Sequence, residues 1–197
     1  VIGSDNPEKL ISKIIDRYNI NRVYLQYEWT QDERNEDNFL KNKNIDLYTY
    51  NDQFLFHPED VDLKNISNVF TNFRKYCEKK LRVRECFVLK TKMNETNMIH
   101  IEYIIPSLKD LGLNEINYDD RTAFPFKGGY NTGIERINYY LWESKKLSFY
   151  KKTRNGLIGK DYSSKLSSWL ANGSLSPRII YHSIIDYEFK IEKNQST

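Results

Sequence analysis

The segment 6-NPEKLISKIIDRYN-19 decides the fold class of the first part of the chain, together with 22-RVYLQYEW-29 just after it. In the first stretch the apolar residues recur at helical spacing, and Pro7 suits the first turn of a helix. The face that they form consists of Leu10, Ile11, Ile14, Ile15 and Tyr18. The second stretch is rich in aromatic and β-branched residues, so it predicts a strand.

The same order repeats in the next segment. In 30-TQDERNEDNFLKNKN-44, Thr30 is suited to cap a helix whose first turn is acidic, and 45-IDLYTYND-52 predicts a second strand. Helix, strand, helix, strand is the order of a parallel α/β sheet with right-handed crossovers. The chain starts at a helix, so we expect a Rossmann-like sheet whose first strand is missing.

A change of pattern follows. The stretch 53-QFLFHPEDV-61 predicts a strand or a turn, and Asn68 is predicted to cap a helix over residues 69–81. Periodicity then fails from residue 82 to residue 127, which indicates an extended crossing segment. We therefore predict an α/β domain over residues 1–80, an interdomain linker over 81–127 and a helical domain over 128–197.

The helical part contains two patterns of interest. In 133-GIERINYYLWE-143, one buried face is formed by Ile134, Ile137, Tyr140 and Leu141. Leu166, Trp169 and Leu170 predict an amphipathic helix that ends at a left-handed Gly173. A second helix is predicted to start at Ser176-Pro177, so that two short helices meet at a tight turn.

Ser163 and Ser164 precede the first of these helices and have two interpretations. They either cap the helix or, with Lys165, form an anion site at its N-terminus. The preceding 150-YKKTRNGLIGKD-161 adds an aromatic face at Tyr150 and positive charge at Lys152 and Arg154. No Walker A or GxGxxG pattern is present, which excludes the usual P-loop and Rossmann modes of nucleotide binding.

Composition and charge narrow the class of protein. Residues 141–180 carry eight basic and two acidic side chains, a net charge of +6, against +3 for the whole chain. Such a local positive field suits phosphates of a cofactor or of nucleic acid, although a solvated helix face has the same composition. Two cysteines, Cys77 and Cys86, favour reduced thiols over a disulfide framework or a metal site, and no stretch is long and apolar enough for a membrane span.

Four stretches, in order, resemble the DNA photolyase and cryptochrome family, specifically its DASH cryptochrome branch. They are 69-VFTNFRK-75, 105-IPSLKDLGL-113, 128-GGYNTGIERINYYLW-142 and 150-YKKTRNGLIGKDYSSKLSSWLANGSLSPR-178. The resemblance covers nearly the whole chain, whereas the chain covers less than half of such a protein. It implies a partial chain: most of the α/β antenna domain, the linker and the start of an all-α FAD-binding domain.

The resemblance also implies site residues. The residues implied to bind FAD are Tyr150, Ser163, Ser164, Lys165, Leu166 and Ser167, and those implied to face DNA are Arg154 and Lys152. Ser168 departs from the family, which usually has proline there. A folate antenna, methenyltetrahydrofolate, is an optional second chromophore. The tryptophan relay and most of the lesion pocket are expected outside these residues, so no catalytic residue and no metal ligand is assigned.

The activity implied by the resemblance is blue-light-driven repair of cyclobutane pyrimidine dimers, a carbon-carbon lyase reaction that uses reduced FAD. The expected partner is single-stranded or lesion-containing DNA, with no membrane and a monomeric state. Two alternatives stay open: a blue-light photoreceptor that binds FAD without repair, and a truncated chain that is inactive alone. The expected location is the cytoplasm in a bacterium, or an organelle or the nucleus in a eukaryote.

Overall fold

The computed structural model describes residues 6–195, apart from residues 44, 88–97, 99–104, 116 and 118. It divides into two units. The first comprises Val1–Asn51 and Val88–Asn117, and the second comprises Asp52–Phe87 and Tyr118–Thr197. The boundaries at residues 80 and 127 that we expect from the sequence stay predictions.

The first unit begins with helix α1, Pro7–Tyr18. The side chain of Asn6 accepts hydrogen bonds from the backbone N–H groups of Glu8 and Lys9, at 2.9 and 3.4 Å. Asn19 ends the helix in the left-handed conformation, with φ of 49°. Strand β1, Arg22–Gln26, follows directly. The predicted helix and strand are therefore both confirmed, with the strand shorter than its sequence pattern.

Helix α2, Gln31–Lys41, and strand β2, Asp46–Tyr50, complete this unit's regular structure in the described residues. Thr30 holds the cap position of α2, as predicted, and the Glu33 carboxylate accepts hydrogen bonds from its backbone N–H and its hydroxyl. The two strands pair in parallel, from Arg22 with Asp46 to Gln26 with Tyr50. The predicted α/β architecture is confirmed.

The second unit begins with irregular chain. Two short 3-10 turns, Pro58–Asp60 and Leu63–Asn65, stand where the pattern allowed a strand or a turn, and α3 then runs over Phe70–Lys80. The prediction that Asn68 caps α3 is wrong. Val69 holds the cap position, and the hydroxyl of Ser67 accepts a hydrogen bond from its N–H at 3.2 Å.

Six further helical segments follow from residue 130 in the described part of the chain. They are α4, Tyr130–Asn138, which continues into a π-helical turn, Tyr139–Glu143; a 3-10 turn, Lys146–Phe149, which runs into α5, Tyr150–Thr153; α6, Ser167–Ala171; and α7, Pro177–Gln195. The hydroxyl of Ser176 accepts the N–H of Arg178, which confirms the predicted start of α7. The prediction of two short helices is wrong for α7, because its apolar residues continue well past the turn.

A core forms where α4, α6 and α7 meet. Its buried members are Ile137, Tyr140, Leu141, Leu166, Trp169, Leu175 and Tyr187. The burial of each such large apolar side chain stabilises the fold by about 1.5–3 kcal/mol. Gly133 allows this packing, because a Cβ atom there would lie 2.8 Å from Cδ1 of Leu175. In the described part of the chain, no helix is long and apolar enough to cross a membrane.

Candidate functional site

A buried arginine organises the segment that the sequence singles out. Arg136 projects from α4 and is only 3% exposed. Its guanidinium donates hydrogen bonds to three backbone carbonyl oxygens, those of Lys160 at 2.8 Å, Ser163 at 3.2 Å and Ser164 at 3.0 Å. One side chain thus holds the segment 160–164 at three points.

The charge of Arg136 is neutralised by Asp161. Nη1 of Arg136 lies 3.0 Å from one carboxylate oxygen of Asp161, and the hydroxyl of Tyr139 donates to the other at 3.1 Å. This hydrogen bond to the carboxylate, together with burial, raises the pKa of Tyr139. Aromatic rings cover the guanidinium, with that of Phe126 at 4.6 Å from its carbon. The arginine is therefore both paired and shielded from water.

The prediction that Ser163 and Ser164 cap α6 is wrong. The helix begins at Ser167, and its cap position is held by Leu166, whose side chain has no oxygen to accept a hydrogen bond. The two serines instead direct their backbone carbonyls to Arg136.

Lys165 lies between these serines and the helix in a left-handed conformation, with φ of 62°. Its ammonium group is 3.7 Å from the centre of the Tyr162 ring and donates a hydrogen bond to the hydroxyl of that tyrosine. The following Leu166 is right-handed, with φ of −79° and ψ of −7°. A left-handed residue next to a right-handed one turns successive N–H groups to the same side, which is the geometry of a backbone anion nest.

A cavity of about 190 Å³ adjoins this segment. Of the residues implied to bind the cofactor, Tyr150, Ser164 and Leu166 line it, and the rest of its wall is mainly aliphatic. Within the described part of the chain, Ser163, Lys165 and Ser167 do not line the cavity. The structure therefore brings an aromatic ring on α5 together with the segment that precedes α6.

Tyr140, on the π-helical turn, also lines the cavity. Its hydroxyl is buried without a hydrogen-bond partner among the described residues, and burial raises its pKa. A buried hydroxyl left unpaired costs about 1–3 kcal/mol, so such a group in a cavity wall indicates where a ligand would supply the partner. The π-turn places Tyr140 and its neighbour Leu141 on the buried side together, since both are at most 3% exposed.

The basic residues do not all contribute to one surface. Lys152, on α5, and Arg154 are exposed, as are Lys145, Lys151 and Lys160. Arg178 is different, because it is buried and pairs with Asp52 at 2.8 Å. The positive surface consequently centres on residues 145–160 and excludes Arg178.

Three side chains of the candidate site were not identified from the sequence: those of Arg136, Asp161 and, for its hydroxyl, Tyr140. A signal for the first exists, because Arg136 lies four residues before Tyr140, which puts it beside the face that the apolar pattern marks as buried. A charge on a buried helix face requires a partner. The partner itself is 25 residues further along the chain, and no local pattern identifies it.

Comparison with known proteins places this chain in a family. Residues 1–111 match the family DNA photolyase. The chain is 37% identical to the cryptochrome DASH of Synechocystis sp. over 198 residues, which cover 97% of this chain and 40% of that protein. It is also 37% identical to the cryptochrome DASH of Xenopus laevis, with 97% of this chain and 38% of that protein covered.

A solved structure agrees with this result. The crystal structure of a Synechocystis sp. cryptochrome superposes with a TM-score of 0.81 at 38% sequence identity, over 92% of this chain and 39% of that one. The chain spans about 40% of the length of the Synechocystis, Xenopus and Gloeobacter relatives. It belongs to the DNA photolyase family and, within that family, to the cryptochrome DASH branch.

Proposed function

We propose that the protein to which this chain belongs binds FAD and uses blue light to repair cyclobutane pyrimidine dimers, with single-stranded DNA as its substrate. The observation that carries the proposal is the cavity in which Tyr150, Ser164 and Leu166 meet the unpaired hydroxyl of Tyr140. Bound in its reduced form, FAD would supply the light-driven electron that opens the dimer.

The residues of the cavity fit part of such a cofactor. Its walls are largely apolar, with a few polar groups that converge from Ser164 and Tyr140, as in sites for large aromatic ligands. Its volume of about 190 Å³ is below the roughly 300–1,000 Å³ of most ligand pockets, so these residues would hold only a portion of FAD.

An anionic portion of FAD has a different place available. The left-handed Lys165 and right-handed Leu166 turn their N–H groups to one side, and the hydroxyls of Ser163 and Ser167 lie in the same segment. Backbone N–H groups in this arrangement bind phosphate oxygens. We therefore assign Ser163, Lys165 and Ser167 to the diphosphate, and Tyr150, Ser164 and Leu166 to the aromatic part or the chain that joins it.

The exposed Lys152 and Arg154 would meet the DNA backbone. Contacts between such cations and phosphates orient the nucleic acid without reading its sequence, and they weaken as salt rises. A damaged base in a single strand leaves its neighbours at lower cost than a paired base does, which favours a single-stranded substrate.

The test is light-dependent repair by the full-length product of the gene that encodes this chain. Purified protein with reduced FAD is mixed with an oligonucleotide that carries one thymine dimer, single-stranded or double-stranded, and is kept in blue light or in darkness. We expect dimer loss in light only, and faster loss in the single strand. Flavin photoreduction without dimer loss would contradict repair and support a photoreceptor. An action spectrum with a band that FAD lacks would add the folate antenna.

A further inference from the structure

We infer that Arg136 is a positioning residue for the flavin site: it holds the segment 160–164 so that the following backbone N–H groups face the cofactor. This inference rests on the proposed function, because it assigns a role toward FAD. Arg136 itself need not touch the cofactor. Its guanidinium is enclosed by its carbonyl partners, Asp161 and the surrounding rings.

The orientation of the peptide groups carries the first step. In a planar trans peptide, the carbonyl of one residue and the N–H of the next point in opposite directions. Because the carbonyls of Ser163 and Ser164 point to Arg136, the N–H groups of Ser164 and Lys165 point away from it. The same guanidinium that draws the carbonyls in therefore turns these donors outward.

One of these outward N–H groups belongs to Lys165, which is itself in the left-handed conformation. Lys165 has φ of 62°, a conformation that is unfavourable for a residue with a side chain and must be held by its surroundings. Arg136 fixes the chain directly before it, through Ser163 and Ser164, and buried Leu166 fixes the chain directly after it. The nest of N–H groups is thus ordered before any ligand binds, which lowers the entropy lost on binding.

Only arginine suits this position. Its planar fork presents five donors, and Arg136 uses them in four hydrogen bonds that go in different directions. A lysine has three donors on one nitrogen and cannot reach carbonyls of residues 160, 163 and 164 at once. Apolar side chains can often replace a buried ion pair without loss of stability. The Arg136 interactions are therefore better explained by the order that they impose on the segment 160–164.

Arg178 provides a matched control in the same unit. It too is buried and pairs with an aspartate, at 2.8 Å from Asp52, and its guanidinium carbon lies 5.6 Å from the ring centre of Phe87. Among the described residues, no hydrogen bond joins Arg178 to the segment 160–167. Replacement of either arginine removes a buried ion pair, but only one replacement releases the nest.

The experiment uses the full-length gene product stripped of flavin, as wild type, Arg136→Met, Arg136→Lys and Arg178→Met. FAD affinity is measured by fluorescence titration, and stability without flavin by urea unfolding. We expect the dissociation constant for FAD to rise at least about tenfold in Arg136→Met. A change of this size corresponds to the loss of one hydrogen bond to a charged group. Arg136→Lys should recover little of it, and Arg178→Met should stay within about twofold of wild type despite a similar loss of stability.

The FAD affinities of these proteins decide whether Arg136 positions the flavin site. An unchanged FAD affinity in Arg136→Met, or an equal change in both methionine variants, would overturn the positioning role while the proposed function survives. A wild-type protein that binds no FAD would overturn the proposed function and this role with it. Should Arg136→Met not fold, Asp161→Asn removes the charge partner alone and is expected to weaken FAD binding about threefold to tenfold; unchanged binding there would overturn the role.

Discussion

The segments 150–154 and 160–167 both contribute to the candidate site, yet they differ in how firmly they are held to the interior. Residues 160–167 are tied to the interior, since Arg136 binds three of their carbonyls and Leu166 enters the core. In 150–154, the charged Lys152 and Arg154 are exposed. The first arrangement suits a ligand bound by fixed donors, and the second suits a partner bound by charge. The proposed contacts to FAD and to DNA would thus be adjacent but depend on different forces.

The largest expected effect is on the packing that supports the ordered segment. Gly133→Ala would place a Cβ atom 2.8 Å from Cδ1 of Leu175 and 3.0 Å from Cδ1 of Trp169. We expect it to lower the free energy of unfolding by about 1–3 kcal/mol, as overpacked cores do, when measured by urea unfolding. Gly128→Ala is the control, because a Cβ atom there has open space. Equal losses in the two variants would contradict this account of the core.

A smaller effect is expected at the exposed segment. Lys152→Gln combined with Arg154→Gln removes the two proposed phosphate contacts, so the slope of log affinity for single-stranded DNA against log salt should become shallower by about 1.4. Affinity should fall by roughly tenfold at low salt, with FAD affinity unchanged. Arg121→Gln is the control, since its exposed side chain pairs with Asp119. A salt slope that does not change would show that these two residues do not meet the backbone.

The smallest expected effect tests the buried hydroxyl. In the protein without flavin, Tyr140→Phe removes a buried hydroxyl that has no hydrogen-bond partner among the described residues. The free energy of unfolding of this flavin-free protein should therefore stay the same or rise. If the hydroxyl meets FAD, the affinity for FAD should fall about threefold to tenfold in a fluorescence titration.

The matched control is Tyr187→Phe, whose hydroxyl hydrogen bonds to Ser148 at 2.8 Å. That variant should lose about 1 kcal/mol of stability and keep its affinity for FAD. A Tyr140→Phe protein that binds FAD as well as wild type would remove the hydroxyl from the site.

Local pattern was sufficient for some elements and insufficient for others. The periodicity of residues 6–19 and the Ser176-Pro177 start predicted α1 and the beginning of α7, because the caps and buried faces of these helices lie within a few residues. The prediction that Asn68 caps α3 was wrong, as was the interpretation of Ser163 and Ser164 as caps of α6. In the serines' case a residue 27 or 28 positions away draws the carbonyls inward, and such a partner leaves no mark in the local sequence.

The site shows the same division. Tyr150, Ser164 and Leu166 were assigned by resemblance, and the cavity brings them together. Arg136 and Asp161 were missed because their contribution arises from the pair, which exists only in the folded chain. The apolar pattern of α4 placed Tyr140 on the buried face, but whether its hydroxyl finds a partner depends on the groups packed around it.

Hydrogen exchange of the full-length gene product, with and without FAD, tests the central claim most directly. Mass spectrometry would follow peptides that cover residues 151–154 and 160–167 separately. We expect FAD to protect amides in 160–167 and to leave those in 151–154, beyond the cavity residue Tyr150, nearly unchanged, and single-stranded DNA to do the opposite. Saturation with FAD without any added protection of residues 160–167 would contradict the account.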